Sequence, residues 1–130
     1  MRRLLDADVL IGALDSRDAH HVRARTLLRQ WRRRRDVVPM SVVNLSEVLI
    51  APSADPTLLA RAREAIAALG VQVHLPNEAI AVEAARIRGR HPVSLPDAYC
   101  LATAKHTGSS VASFDQKVLQ AAEYQGLDTF

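Results

Sequence analysis

Residues 2–14 read RRLLDADVLIGAL, and the expected architecture follows from how this segment is parsed. Residues 2–6 (RRLLD) read as a short strand that runs into a carboxylate, Asp6. Residues 8–14 (DVLIGAL) read as a short helix with Asp8 as its N-cap, because an aspartate oxygen can accept a backbone N–H left free at a helix start. A strand, an acid at its end and a helix directly after it suggest a βα alternation.

The rest of the chain continues that alternation. Val22, Leu27, Leu28 and Trp31 space out a helix over 19–34, and Val37 and Val38 before Pro39 suggest a short strand. Ser41 should cap a helix reaching about Ile50. Residues 56–69 form an Ala/Leu/Arg helix stopped by Gly70, and VQVHL (71–75) is a strand. Helices are predicted over 77–89, 95–106 and 115–125, with a strand at SVAS (110–113) and a final one at 127–130. Strands separated by helices imply an α/β fold with a central, mostly parallel sheet covered on both faces. In such sheets, sites form beyond the carboxyl ends of the strands.

With 130 residues, 48% hydrophobic and 24% charged, the chain suits a single domain over 1–130 and is too apolar to be disordered. Such a domain buries roughly two thirds of its unfolded surface and needs no disulfide or metal to fold. The single cysteine, Cys100, makes no internal bridge and favours a reducing compartment. Arg2 and Arg3 precede only Leu4 and Leu5 before Asp6 breaks the apolar run, so no signal peptide is expected. No segment is long and apolar enough to span a membrane. A cytoplasmic, soluble protein is the expectation. The net charge of +3 is unevenly spread, with Arg29, Arg32, Arg33, Arg34 and Arg35 around Trp31. Such a patch attracts RNA by counterion release, or is simply a solvated helix end.

The acids carry the chemical signal. Asp6 ends the first strand, Asp8 follows it, Glu47 lies inside the helix that starts at Ser41, Asp97 opens the helix at Leu95, and Asp115 follows the strand at 110–113. Each has a structural explanation. Asp8 can be a cap, Ser94-Leu-Pro-Asp97 has the form of a capping box, and so has Ser113-Phe-Asp-Gln116. Asp6 is harder to explain that way, because an unpaired carboxylate at a buried strand end is costly. Glu47 sits among Val43, Leu45, Val48 and Leu49, and needs a partner, which could be an arginine. Together, several carboxylates resist ionising unless a cation neutralises them. All-oxygen ligation suits Mg²⁺ or Mn²⁺, and such an ion activates water and stabilises charge on a phosphoryl group. His20, His21, His74, His91 and His106 show no zinc-like spacing and read as surface or helix-end residues. His20 or His21 near the substrate path is the exception. Cys100 reads as a buried, small apolar residue.

Four segments, LLDADVLIGAL (4–14), SVVNLSEVL (41–49), LPDAYCLATAKHTG (95–108) and VASFDQKV (111–118), resemble the PIN-domain ribonucleases, particularly the VapC toxins of bacterial toxin–antitoxin pairs. They stand in that family's order and cover most of the chain. The resemblance implies an α/β/α sandwich. It places the family's acids at Asp6, Glu47, Asp97 and Asp115, and a hydroxyl residue at Ser113. Asp8 departs from the pattern, which often has Asn or Ser there, and could be an added ligand or only a cap. The resemblance further implies Mg²⁺- or Mn²⁺-dependent RNA cleavage, a homodimer and inhibition by a small cognate antitoxin. Arg32–Arg35 are candidate RNA contacts.

Two rivals remain. Asp6-Ala-Asp8 is similar to the nucleophile and acid of HAD-type phosphohydrolases. However, Val9 and Leu10 stand where Gly-Thr is usual, and no downstream lysine and paired-acid segment is evident. A non-catalytic RNA-binding or interaction module with a degenerate acidic site is the other.

Overall fold

Leu4 and Leu5 are both fully buried, yet they belong to different cores. They lie on strand β1 (Arg3–Leu5), where successive side chains point to opposite faces of the sheet. The computed structural model describes residues 1–130. In chain order the other elements are α1 (Ala7–Leu14), α2 (His21–Arg33), β2 (Val38–Ser41), α3 (Val42–Leu49), α4 (Pro56–Ala68), β3 (Val71–His74), α5 (Glu78–Arg90), α6 (Leu95–Thr107), β4 (Ser110–Ala112) and α7 (Gln116–Tyr124).

All strand pairs are parallel. β1 pairs with β4, and β2 pairs with β3. The halves join at the bridge between Arg2 and Val37, where the Arg3 N–H donates to the Val37 carbonyl and the Val37 N–H to the Met1 carbonyl, both at 2.8 Å. The next rung toward β1 would need an N–H from Pro39, which has none, and the pairing stops there. The spatial order is therefore β3-β2-β1-β4. The predicted final strand shrinks to one parallel bridge between Thr129 and Val111, in which the Val111 N–H donates to the Asp128 carbonyl and the Phe130 N–H to the Val111 carbonyl.

The two faces are filled by different helices. Leu4 and Val111 pack with Ile80, Ala84 and Ile87 of α5, Leu101 of α6 and Val118 of α7. Leu5, Ala112, Val38 and Met40 pack with Val9 and Leu10 of α1, Leu28 and Trp31 of α2, Val48 of α3 and Ile66 of α4. This is the expected α/β/α sandwich. Trp31 is almost wholly buried and meets Phe130 edge to face, with ring centroids 5.5 Å apart and planes at 65°. Gly108 ends α6 in the left-handed region at φ 64°, a conformation a side chain would strain.

Two capping assignments change. Asp6, not Asp8, caps α1: its backbone is extended and its side chain accepts the Ala7 N–H, so the helix starts one residue earlier than expected. Asp115, not Ser113, caps α7 by accepting the Lys117 N–H. The capping box at Ser94 and Asp97 and the Ser41 cap on α3 are present.

Candidate active site

The parallel topology carries the acids to one end of the sheet. Asp6 leaves the carboxyl end of β1, Ser113 that of β4, and Ser41 that of β2, from which α3 brings Asn44 and Glu47. The first turn of α6 adds Asp97.

Asp6 is 4% exposed. Its Oδ1 accepts the Ala7 N–H at 2.8 Å and its Oδ2 accepts the Ser113 hydroxyl at 2.8 Å. Burial, then the negative charge of Asp8, push its carboxyl up to about 7, against the pull of Ser113. Asp8 reaches across from α1. Its Oδ2 accepts the Phe114 N–H at 2.9 Å and lies 3.4 Å from the Ser113 hydroxyl, fastening α1 to the loop after β4. Its Oδ1 is buried with no hydrogen-bond partner. Burial raises the Asp8 carboxyl above the ordinary range, with Asp115 adding to the effect.

Glu47 is half-buried, and its partner is Asn44 rather than an arginine. Asn44 Nδ2 donates to Glu47 Oε1 at 3.1 Å and to the Pro96 carbonyl at 3.0 Å, tying α3 to the start of α6. Burial raises the Glu47 carboxyl, as do the charges of Asp97 and Asp8. Asn44 is fully buried, and its Oδ1 has no partner. Asn44 is not among the residues expected from the sequence, although its position three residues before Glu47 is a usable signal. Asp97 Oδ2 accepts the Ser94 N–H at 3.1 Å in the capping box. Asp115 is exposed at the rim, and its own N–H donates to Ser113 Oγ at 3.1 Å. Ser113 thus contacts Asp6, Asp8 and Asp115 at once.

The fit to a divalent cation rests on kind and on need. The donors are all oxygens, the preference of a hard ion, and two buried oxygens, Asp8 Oδ1 and Asn44 Oδ1, have no partner. As the side chains stand, no three acid, imidazole or thiol groups are arranged to grip an ion by themselves.

Arg32–Arg35 are not brought to this end. α2 begins at His21 beside the acids' side of the sheet and ends at Arg33, where the chain turns into the amino end of β2. A 13-residue helix is about 20 Å long, so the cluster lies a helix length away. What α2 does bring is His20 and Arg23. His20 stacks on Phe114, and the Arg23 guanidinium lies 5.3 Å from that ring's centroid.

A family profile described as PIN domain matches residues 3–124. No curated protein sequence matches significantly. Among solved structures, the chain is similar to a toxin–antitoxin complex from Klebsiella pneumoniae at 22% identity, covering 90% of this chain and 89% of that one, with a TM-score of 0.74. It is similar to VapC20 of Mycobacterium tuberculosis, a sarcin–ricin-loop-cleaving toxin, at 20% identity, covering 92% and 94%, with a TM-score of 0.74. It is also similar to VapBC2 of Rickettsia felis bound to a promoter DNA fragment, at 10% identity, covering 100% and 98%, with a TM-score of 0.75. These likenesses concern the fold. With nearly the whole length matched by the family profile, and the sheet, its order and its acidic end in place, the chain belongs to the PIN domain family.

Proposed function

We propose that this protein is a divalent-metal-dependent endoribonuclease acting as the toxin of a type II toxin–antitoxin pair in the cytoplasm. One observation carries the reading: acid without compensating positive charge is concentrated at the carboxyl end of the sheet. There Asp6 is pushed up to about 7 and Asp8 keeps a buried oxygen unpaired. The shared fold with solved toxin–antitoxin structures supports it.

Asp6, Glu47, Asp97 and Asp115 would hold Mg²⁺ or Mn²⁺, directly or through water, with Asp8 as a further ligand. Mg²⁺ keeps several of its waters and needs only one or two carboxylates, which suits acids not gathered into a closed cage. When bound, the ion supplies a water of lowered pKa and positive charge for the phosphoryl oxygens. Ser113 donates to Asp6, which favours the ionised form and fixes its orientation. Asn44 does the same for Glu47. Asp97 or Asp115 would also orient the attacking water. The acidic end also suits a basic side chain from a cognate antitoxin, and the resemblance favours a homodimer.

The phosphohydrolase reading needs Asp6 as a nucleophile. Val9 and Leu10 stand where that chemistry's Gly-Thr continuation is usual, and no downstream lysine and paired-acid segment supports it.

The test is induced expression in a bacterial host beside an Asp6→Asn control, with new RNA ends mapped. Growth arrest and discrete cuts in the wild type alone are expected. Identical RNA ends in both strains would end the proposal.

A further inference from the structure

The proposed chemistry leaves one group of side chains beside the acids unused. Phe114 lies between Ser113 and Asp115, and its backbone N–H is held by Asp8 at 2.9 Å. The His20 imidazole stacks on its ring, with centroids 4.4 Å apart and planes 23° from parallel. The Arg23 guanidinium lies 5.3 Å from the same ring. His20 and Arg23 are both exposed, while Phe114 is half-buried against the core.

The stack is held in place from below. The His20 N–H donates to Asp18 Oδ1 at 2.8 Å, and Nδ1 of the neighbouring His21 lies 2.8 Å from the Gly12 carbonyl oxygen. The turn packs closely on α1: a Cβ at Gly12 would stand in ordinary van der Waals contact, 3.4 Å from Ala24 Cβ and 3.6 Å from the His20 carbonyl carbon. An exposed imidazole on an anchored phenyl ring, with a cation alongside, matches what single-stranded nucleic acid is bound by: a flat aromatic surface for a base and a positive charge for the backbone.

We propose that His20, backed by Phe114, stacks a nucleobase next to the scissile phosphate, and that Arg23 takes a backbone phosphate of the same strand. These are positioning residues, and the proposal rests on the ribonuclease reading. Recognition goes to the face of the base, so it depends on a ring being present more than on which base it is.

The test uses the whole protein and an RNA oligonucleotide spanning a mapped cut, in two arms. In the first, single-turnover cleavage is measured on the intact strand and on strands with an abasic residue beside the cut. The abasic site should slow wild-type cleavage by roughly 5- to 100-fold. In His20→Ala, and in Phe114→Leu, which keeps the backbone N–H, the intact strand should be slowed similarly and the abasic site should add little. In the second arm, 2-aminopurine replaces the flanking base and its fluorescence is read in Ca²⁺. Quenching is expected with wild type and is lost in His20→Ala. A strand cut by wild type with the same abasic penalty in His20→Ala overturns the platform and leaves the nuclease reading standing. No cleavage, but quenching that depends on His20, supports the platform and defeats the nuclease reading. Absence of both quenching and cleavage defeats both, as it would if the rings instead dock a polypeptide. Because His20 is exposed, its variant should melt like wild type.

Discussion

The Ser113 hydroxyl donates a 2.8 Å hydrogen bond to Asp6 Oδ2, joining residues 107 positions apart in the chain. The contact spans the ends of the two paired strands β1 and β4, and the same oxygen accepts the Asp115 N–H. One side chain therefore sets the buried acid and the rim acid together.

Removing that hydroxyl should raise the Asp6 carboxyl further, since the Ser113 bond is a force that lowers it. In Ser113→Ala the metal concentration giving half-maximal cleavage should rise by roughly 10-fold or more, the usual scale for losing a supporting contact. Ser113→Thr should restore it. A metal titration of cleavage rate reads the effect, and an unchanged midpoint would show that the bond does not tune the site.

Asp6 also makes stability depend on pH. Its folded carboxyl sits near 7 against an ordinary value of 3.8, so the folded chain holds the proton more tightly than the unfolded one. The resulting stabilisation is complete below about pH 4 and is lost as pH rises through about 7, by roughly 4 kcal/mol at most. Metal-free protein should melt progressively lower between pH 5 and pH 8, and Asp6→Asn, which retains a capping oxygen, should flatten that slope. Mn²⁺ should raise the wild-type melting temperature most at the alkaline end. At limiting metal, cleavage should increase as pH passes through 7.

Asp6→Asn, Glu47→Gln and Asp97→Asn should each abolish metal-dependent RNA cleavage while circular dichroism stays that of the folded chain. Full activity in all three would remove the acids from the mechanism.

Cys100 lies on α6 with its thiol fully buried, its Sγ 4.0 Å from the Leu5 carbonyl oxygen. Burial, reinforced by Asp6 and Asp97, pushes the thiol well above its usual range. It should resist alkylation in the native protein and react at the rate of a free thiol once denatured. Fast labelling without denaturant would contradict the packing of α6 on β1.

Alanine at Arg32, Arg33, Arg34 and Arg35 should leave the turnover of a short oligonucleotide unchanged, because that cluster lies at the other end of α2. Long RNA should bind less tightly and with a shallower salt dependence. A slowed short substrate would place the cluster in the cleft.

Apolar spacing and stop signals made the alternation of elements readable, and even the capping box at Ser94 and Asp97 was visible as a local pattern. Asp6 and Asp8 show where local reading fails. Both fit a helix start, and which one caps α1 depends on Asp8 being drawn to the Phe114 N–H, a partner 106 positions away. The arginine cluster was conspicuous in the sequence but lies away from the acids, whereas the isolated Arg23 stands next to Phe114.

The chain's order of apolar and polar residues was enough for the class of fold and for which acids to suspect, because helix and strand periods and cap chemistry act over a few neighbours. The pairing of Ser113 with Asp6, the tie from Asn44 to the Pro96 carbonyl and the His20–Phe114 stack arise where distant segments are packed together. No local pattern encodes such contacts. They are set by the parallel register and by which helix covers which face.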